Sequence, residues 1–301
     1  MSGISDNLRG GFFMAVAMAG FVLNDTMMKL VFDDLDLFQA IFLRGLLLSL
    51  LIVPLALRRG QLLYRPTRAD ARLMVLRVIG EIGGAVCFLS ALVQMPIANA
   101  TAIVQAIPLA ITLAAALVFG EHVGWRRYSA ITVGFIGVLI IVRPGAEGFT
   151  VYSFWAVAAV AFMVLRDLAT RRFSYSIPSL FVALVTSIAT TGFAGAVALT
   201  RDWQPLQVEH FGLLSGAAGF LFFGYLFSIM AMRVGEVAFV SPFRYTVMVW
   251  AILLGVVVFG DIPDRETLIG ATIVVVMGIY TFYRERRLLR RSVAAAAQTV
   301  Q

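Results

Sequence analysis

Ten runs of predominantly apolar residues follow one another along this chain of 301 residues. A bilayer core about 30 Å thick needs roughly 20 such residues in a helix. Because 60% of the residues are hydrophobic and only 14% are charged, the chain is too apolar for a water-exposed surface. It therefore predicts an all-α polytopic membrane protein with ten transmembrane helices. The runs span residues 10–32, 37–57, 72–94, 97–119, 125–142, 149–170, 178–200, 210–232, 237–259 and 266–283.

The arginines are divided unequally between the two sides of such a bundle. Both terminal segments and alternate connections carry sixteen of them, whereas the remaining connections carry three, Arg143, Arg201 and Arg265. Cytoplasmic loops hold the excess of positive charge, so we predict that both termini are cytoplasmic. The sixteen are Arg9, Arg58, Arg59, Arg65, Arg68, Arg72, Arg126, Arg127, Arg171, Arg172, Arg233, Arg284, Arg286, Arg287, Arg290 and Arg291.

The two halves of the chain share short patterns at a nearly constant offset. Val22-Leu23-Asn24-Asp25 is matched in the second half by Val164-Leu165-Arg166-Asp167, and Phe119-Gly120-Glu121 is matched there by Phe259-Gly260-Asp261. A unit of five helices is odd in number, so its second copy enters the membrane upside down, as in many secondary transporters. We predict two inverted five-helix repeats over residues 1–145 and 146–291, followed by a disordered tail over 292–301.

Further residues recur in the same order in both repeats and resemble a known family. In the first repeat they are Phe88 to Leu92, Ala98, Pro108, Gly120-Glu121, Gly134 and Gly137. In the second they are Phe227-Ser228, Pro242, Gly260-Asp261 and Gly278. Their order and duplication are similar to those of the EamA-type transporters of the drug/metabolite transporter superfamily.

This resemblance implies a central cavity lined by the first four helices of each half, with the fifth and tenth helices at the periphery. It also implies transport of small organic metabolites by alternating access. The chain is most similar to the bacterial amino-acid exporters, including exporters of aromatic amino acids. We therefore expect amino-acid export across a bacterial inner membrane. Nucleotide sugars, cationic drugs and other metabolites are alternative substrates for the same fold.

Eight ionisable residues are candidates for a position at membrane depth, where each needs a partner or water. Five are positive and three are negative, and this surplus favours a substrate that carries an anionic group. Arginine binds carboxylates with two parallel hydrogen bonds, so Arg44 and Arg244 are the leading candidates for that contact. The eight are Asp25, Lys29, Arg44, Arg77, Glu81, Arg166, Asp167 and Arg244.

Several of these residues have a structural interpretation that is as good as a functional one. Asp25 and Arg44 both lie roughly 12 Å from the outer ends of adjacent helices, at a rise of 1.5 Å per residue, and this permits either a static ion pair or one that substrate disturbs. Arg77 and Glu81 are four residues apart, which favours a pair within one helix. The adjacent residues 166 and 167 lie nearer the cytoplasmic end, so we expect them to reach the interface.

These arguments predict a substrate-binding cavity with charged, amide and aromatic side chains. A stripe of Phe220, Phe223 and Phe227 is expected to face lipid or to pack, and the pairs of glycines at 80 and 84 and at 212 and 216 are expected to allow close helix contact. Asp25 and Glu81 are the candidate proton carriers. The predicted cavity residues are Asn24, Asp25, Arg44, Arg77, Glu81, Gln105, Tyr225, Arg244, Tyr245 and Trp250.

Other classes of function are not favoured by the sequence. His122 and His210 both lie at loop edges, and no metal-ligand cluster, nucleophile motif or phosphate-binding loop is present, so we expect no enzyme, cofactor or metal. The inverted repeat favours a carrier over a channel. The expected partners are a small-molecule substrate and the lipid bilayer, without nucleic acid, and a homodimer is left open.

Overall fold

The computed structural model of the chain describes residues 4–62, 64–120, 124–143, 151–174 and 176–299, and the side chains of all of these except 4–5, 237–238 and 285–299. Ten helices in this part of the chain are long and apolar enough to cross a membrane, which confirms the predicted architecture. They are α1 (Ile4–Val31), α2 (Leu37–Arg58), α3 (Arg68–Gln94), α4 (Ile97–Val104 and Ile107–Phe119), α5 (Trp125–Val142), α6 (Val151–Arg171), α7 (Ser179–Ala198), α8 (Val208–Val234), α9 (Val237–Val240, Ser241–Tyr245, Thr246–Leu254 and Gly255–Phe259) and α10 (Arg265–Thr299).

Two of the helices, α4 and α9, are discontinuous at corresponding places in the two repeats. The break in α4 follows Val104, and the 3₁₀ segment of α9 ends at Tyr245, the corresponding region of the second repeat. Pro108 and Pro242 lie next to or within these breaks, where a missing N–H and a fixed φ disfavour a regular helix. Both helices also end in a glycine with a left-handed backbone, Gly120 and Gly260. Discontinuous helices free backbone groups near the midplane, where transporters bind substrate.

The helices of one repeat pack mainly against those of the other. Helix α1 packs along α8, and their repeat mates α6 and α3 pack together in the same way. The other three contacts join a helix directly to its own repeat mate: α2 to α7, α4 to α9, and α5 to α10. This symmetric pattern is that of two interleaved inverted repeats. The predicted division near residue 145 lies outside the described residues and stays a prediction.

The C-terminal helix α10 extends to Thr299, past the point at which we predicted a disordered tail. No side chain beyond Arg284 is described. The tail at 292–301 therefore stays a prediction.

Glycines allow the backbones of α3 and α6 to approach closely. A Cβ atom at position 80 would lie 2.7 Å from both the backbone N of Arg166 and the backbone O of Phe162. At Gly84 the nearest atom is the Cγ of Met163, at 3.0 Å. By contrast, a Cβ at Gly212 would have no atom within 4 Å. The predicted close contact is therefore present at 80 and 84 and absent at 212, while a Cβ at Gly216 would lie 2.7 Å from the Sδ of Met27 on α1.

Replacing Gly80 by alanine is expected to destabilise the protein. The added methyl group meets backbone atoms, which cannot rotate away, and overpacking of this kind costs about 1–3 kcal/mol of unfolding free energy. Gly212→Ala is the matched control, because it adds the same group to an exposed position of a helix. The thermal midpoints of both variants in detergent, followed by circular dichroism, check this prediction. Equal midpoints would contradict the close α3–α6 contact.

Candidate functional site

A cavity of about 990 Å³ lies between the two repeats. Its lining comes from α1 to α4 and from α6 to α9, with one residue, Phe282, from α10 and none among the described residues of α5. This is the arrangement that the family resemblance implies. The cavity has the volume of a small-molecule binding site.

The cavity reaches one face of the bundle and not the other. We call the face that carries the connections 59–67, 172–178 and 235–236 the arginine-rich face, and the other the opposite face. Phe173, Ser174 and Ile177, in the connection between α6 and α7, line the cavity. No described residue from a connection on the opposite face does so. The cavity therefore opens toward the arginine-rich face.

Polar contacts close the opposite face between the start of α2 and the connection from α7 to α8. The side chain of Gln39, which is 1% exposed, donates to the backbone O of Gln204 at 2.8 Å and accepts from its N–H at 2.9 Å. Nearby, Arg201 forms an ion pair with Asp36 at 3.0 Å. These contacts join elements from different repeats, so they must separate if this face opens.

A charged network joins α3 and α6 at the cavity wall. Glu81 lies 3.8 Å from Arg77 of its own helix and 3.6 Å from Arg166 of α6. Arg166 also donates from its Nε to Asp167 at 2.8 Å, and Arg77 donates to the hydroxyl of Thr170 at 2.5 Å. The charges are therefore shared between the two repeats rather than paired within α3 alone.

Placement of residues 166 and 167 in the cavity corrects the prediction that they lie at the interface. Both line the cavity, with 24% and 30% of their side chains exposed. The reason is the close contact at Gly80, which brings this part of α6 against Glu81. The repeat pattern contained a signal for this, because Asp167 is the repeat mate of Asp25.

Arg244 is an exposed arginine within the cavity wall. It lies in the 3₁₀ segment of α9 and makes no hydrogen bond or ion pair with a described residue. Asp167 is the acid whose charge acts most strongly on it, but the two do not form an ion pair. Both side chains line the cavity, and no described residue forms hydrogen bonds to both of them.

At the closed end of the cavity, Asn24 connects Asp25 with Arg44. Its amide nitrogen donates to Asp25 Oδ1 at 2.8 Å, and its amide oxygen accepts from Arg44 Nη1 at 3.1 Å. The predicted direct ion pair between Asp25 and Arg44 is therefore replaced by a bridge through Asn24. Asn24 and Arg44 are buried, with 3% and 9% exposed.

Nine of the ten predicted cavity residues line the cavity. The exception is Trp250, whose indole N–H instead donates to the backbone O of Ala15 at 3.1 Å and so packs α9 against α1. Its position could not be anticipated because the sequence does not say which side of a helix faces the cavity. The nine are Asn24, Asp25, Arg44, Arg77, Glu81, Gln105, Tyr225, Arg244 and Tyr245.

The two tyrosines differ in what they offer to a ligand. Tyr225 is 42% exposed and stacks its ring edge to face against Phe21, with 5.5 Å between ring centroids. Tyr245 is 5% exposed, and its hydroxyl packs over Gly278 without a hydrogen-bond partner among the described residues. Tyr225 is therefore the tyrosine that is open to a ligand.

Lys29, which we counted among the charges at membrane depth, lies outside the cavity lining. Its ammonium group donates to the backbone oxygens of Leu92 and Met95, at the end of α3. The cavity surface instead includes Arg171, so the described lining residues still carry five positive and three negative groups.

The phenylalanine stripe on α8 faces away from the cavity, as expected. Phe223 is 53% exposed, and Phe227 stacks against Phe13 with 5.8 Å between centroids. The cavity face of the same helix carries Leu221, Phe222 and Tyr225.

A row of hydroxyl groups on α7 also lines the cavity and was not predicted from the sequence. Thr186, Ser187, Thr190 and Thr191 line the cavity, and the Thr190 hydroxyl has no hydrogen-bond partner among the described residues. Hydroxyls are common in membrane helices because they can bond to their own backbone, as Thr191 does to Ser187 O at 2.7 Å. Composition therefore carried no signal for this row.

The proton-carrier prediction for Asp25 and Glu81 is not tested by these contacts. Glu81 lies beside two arginines, whereas Asp25 makes no ion pair with a described residue and accepts a hydrogen bond from Asn24. Among the described residues, no group of three or more His, Cys, Asp or Glu could hold a metal ion.

Three known transporters are similar to the chain over most of its length. It is 26% identical to the S-adenosylmethionine uptake transporter of Rickettsia conorii over 89% of this chain and 90% of that protein. It is 27% identical to the pseudopaline exporter CntI of Pseudomonas aeruginosa over 91% and 96%. It is 31% identical to the riboflavin transporter of Vibrio cholerae over 72% and 73%.

A solved structure and a family model match the whole architecture. The structure, which is 22% identical, covers 95% of this chain and 99% of its own with a TM-score of 0.64, so the two share the fold. The model of the EamA-like transporter family matches residues 8–143 and again 150–284, which are the two repeats. The chain therefore belongs to the EamA-like transporter family, and it is a secondary transporter of small metabolites rather than an enzyme.

Proposed function

We propose that this transporter carries a metabolite with an α-amino-carboxylate group, and that amino acids, including aromatic ones, are its substrates. The observation that carries the proposal is Arg244, a cation in the cavity without a hydrogen-bond or ion-pair partner among the described residues. A guanidinium group at membrane depth needs an anion or water. A substrate carboxylate provides the anion, bound through two parallel hydrogen bonds.

Asp167 is the group proposed to bind the substrate's ammonium. Arg166 donates to its Oδ1, while its other oxygen accepts no hydrogen bond from a described residue. The acid is 30% exposed, lines the same cavity as Arg244 and is the acid whose charge acts most strongly on it. An amino acid placed between the two pairs both of its charges.

The remaining cavity wall suits a flat or apolar side chain. Phe21, Phe88 and Phe222 line it together with the exposed Tyr225. Aromatic rings pack favourably edge to face or offset against one another, which supports aromatic amino acids within the proposed class.

The proposed direction is export from the cytoplasm of a bacterium. The arginine distribution predicts that the arginine-rich face is cytoplasmic, and the cavity opens toward that face. The relatives named above are bacterial, but they include both an uptake transporter and an exporter. The direction therefore depends on the arginine distribution and not on the relatives.

A second candidate substrate is S-adenosylmethionine, which carries an α-amino-carboxylate on a larger aromatic body. The cavity volume of about 990 Å³ exceeds what an amino acid fills, and a relative is named as an uptake transporter of this compound. Arg244 and Asp167 would bind the carboxylate and ammonium of this compound in the same way. Nucleotide sugars and cationic drugs are less favoured, because the first lack an ammonium group and the second lack an anion for Arg244.

Replacing Arg244 by alanine is expected to weaken amino-acid binding and to slow transport at low substrate concentration. Loss of a charge-assisted hydrogen bond of about 1.5–3 kcal/mol weakens binding by roughly 10- to 100-fold. The measurement is counterflow in proteoliposomes with labelled phenylalanine, threonine, methionine and S-adenosylmethionine. Arg233→Ala is the matched control, because Arg233 is exposed on α8 and outside the cavity lining.

The same vesicles distinguish the alternative substrates. Transport of a nucleotide sugar, a cationic drug or riboflavin, without transport of any amino-carboxylate, would overturn the proposed substrate class and leave the fold unaffected. Transport of an amino acid by Arg244→Ala at the wild-type rate would overturn the role of Arg244 alone.

Asp167→Asn is expected to raise the KM for the amino acid by roughly 10-fold, because a neutral amide replaces the carboxylate that pairs with the ammonium. Asp202→Asn is the control, since Asp202 is exposed in the connection between α7 and α8. Initial rates of counterflow across a range of substrate concentrations give the KM of each variant. An unchanged KM for Asp167→Asn would rule out this ammonium contact.

A further inference from the structure

We propose that Asp25 and Arg44 form a second subsite for the substrate's ammonium and carboxylate, and that the carboxamide of Asn24 occupies it in the present conformation. This inference rests on the proposed function, because it assigns the same substrate class to another part of the same cavity. It makes Asn24 a placeholder that substrate displaces as it moves toward the opposite face.

The cavity contains two pairs of an acid and an arginine that do not touch. Asp167 acts most strongly on Arg244, and Asp25 acts most strongly on Arg44, but neither pair forms an ion pair in the structure. Between Asp25 and Arg44 lies the carboxamide of Asn24. Between Asp167 and Arg244 no described residue forms a bridge.

The carboxamide of Asn24 presents the same polarity as an amino acid's charged groups. Its nitrogen donates to Asp25 at 2.8 Å and its oxygen accepts from Arg44 at 3.1 Å. An ionised carboxylate only accepts and a guanidinium only donates, so the chemistry of the two partners determines this amide orientation. An ammonium group at the nitrogen position and a carboxylate at the oxygen position would make the same contacts with full charges.

Arg44 retains donors for such a carboxylate. It is 9% exposed and lines the cavity, and its Nε has no hydrogen-bond partner among the described residues. A guanidinium carries five N–H groups, whereas the bond to Asn24 uses Nη1. A buried cation with an unused donor is a costly arrangement unless a ligand completes it in part of the transport cycle.

The acids of the two subsites are related by the inverted repeat, whereas their arginines are not, because Arg44 lies on α2 and Arg244 lies on α9, the repeat mate of α4. Asp25 and Asp167 occupy matching positions in the two copies of the repeated pattern. Each accepts a hydrogen bond of 2.8 Å from the side chain that precedes it, Asn24 or Arg166. Since inverted repeats exchange roles between inward-open and outward-open states, Asp25 is expected to be exposed to the opposite face in the outward-open state as Asp167 is to the arginine-rich face here.

Titratable and charged groups from neighbouring helices also act on this subsite. The acids that act on Arg44 are Asp25 from α1 and Glu81 from α3, and the neutral hydroxyl of Tyr225 from α8 also lies in its surroundings. Glu81 already forms ion pairs with Arg77 and Arg166. Asp25 is therefore the acid that can pair with Arg44 or with a ligand bound beside it.

Equilibrium binding of the labelled amino acid to purified protein in nanodiscs tests the proposal. Asn24→Ala removes the placeholder, so the affinity is expected to rise about 5-fold or more, within the usual range of coupling between sites. Arg244→Ala lowers affinity, and the double variant Asn24→Ala/Arg244→Ala is expected to bind at least about 5-fold more tightly than Arg244→Ala. Asn99→Ala, which removes a carboxamide outside the cavity lining, is expected to leave affinity unchanged.

The outcomes separate this proposal from the proposed function. If wild-type protein binds no amino-carboxylate, the proposed function and this inference both fall. If it binds one, but Asn24→Ala and Asn24→Ser do not raise affinity either alone or combined with Arg244→Ala, the second subsite is overturned. Asn24 would then serve only to hold α1 against α2. The serine variant retains a polar group at this depth, so it decides the result if the alanine variant does not fold.

Discussion

A charged side chain inside a membrane protein must find a partner or water, and this requirement organises the interior of the transporter. Glu81, Arg77 and Arg166 satisfy one another across the contact of α3 with α6. Asp25 and Arg44 are satisfied through Asn24. Arg244 has no such partner among the described residues, and it faces the cavity. In the proposed function, the substrate is the group that completes the set.

Interleaving of the two repeats explains how the charged side chains can be paired in this conformation and still change partners when the repeats move. The charged network and the contacts that close the opposite face each join elements from different halves of the chain. Movement of one repeat relative to the other can therefore break the contacts that close the opposite face without unfolding any helix. Alternating access in inverted-repeat transporters has this form.

Much of the architecture was predictable because the bilayer imposes simple rules. Hydropathy and length determine the spans, and two patterns shared at a nearly constant offset revealed the repeat. The depth of each residue follows from its position along a helix, and nine of the ten predicted residues line the cavity. The side of the helix that faces the cavity depends on helix packing. The position of Trp250 was for that reason not predictable, whereas the repeat pattern did contain a signal for Asp167.

The most direct test of the central claim compares an amino acid with molecules that lack one of its two charges. Phenylalanine, phenethylamine and 3-phenylpropionate compete for the labelled substrate in the same binding measurement on wild-type protein. If acid and arginine groups recognise both charges, phenylalanine competes well and each of the others is weaker by roughly 10-fold or more. Equal competition by the amine or by the acid would contradict the account, because one charge would then suffice for recognition.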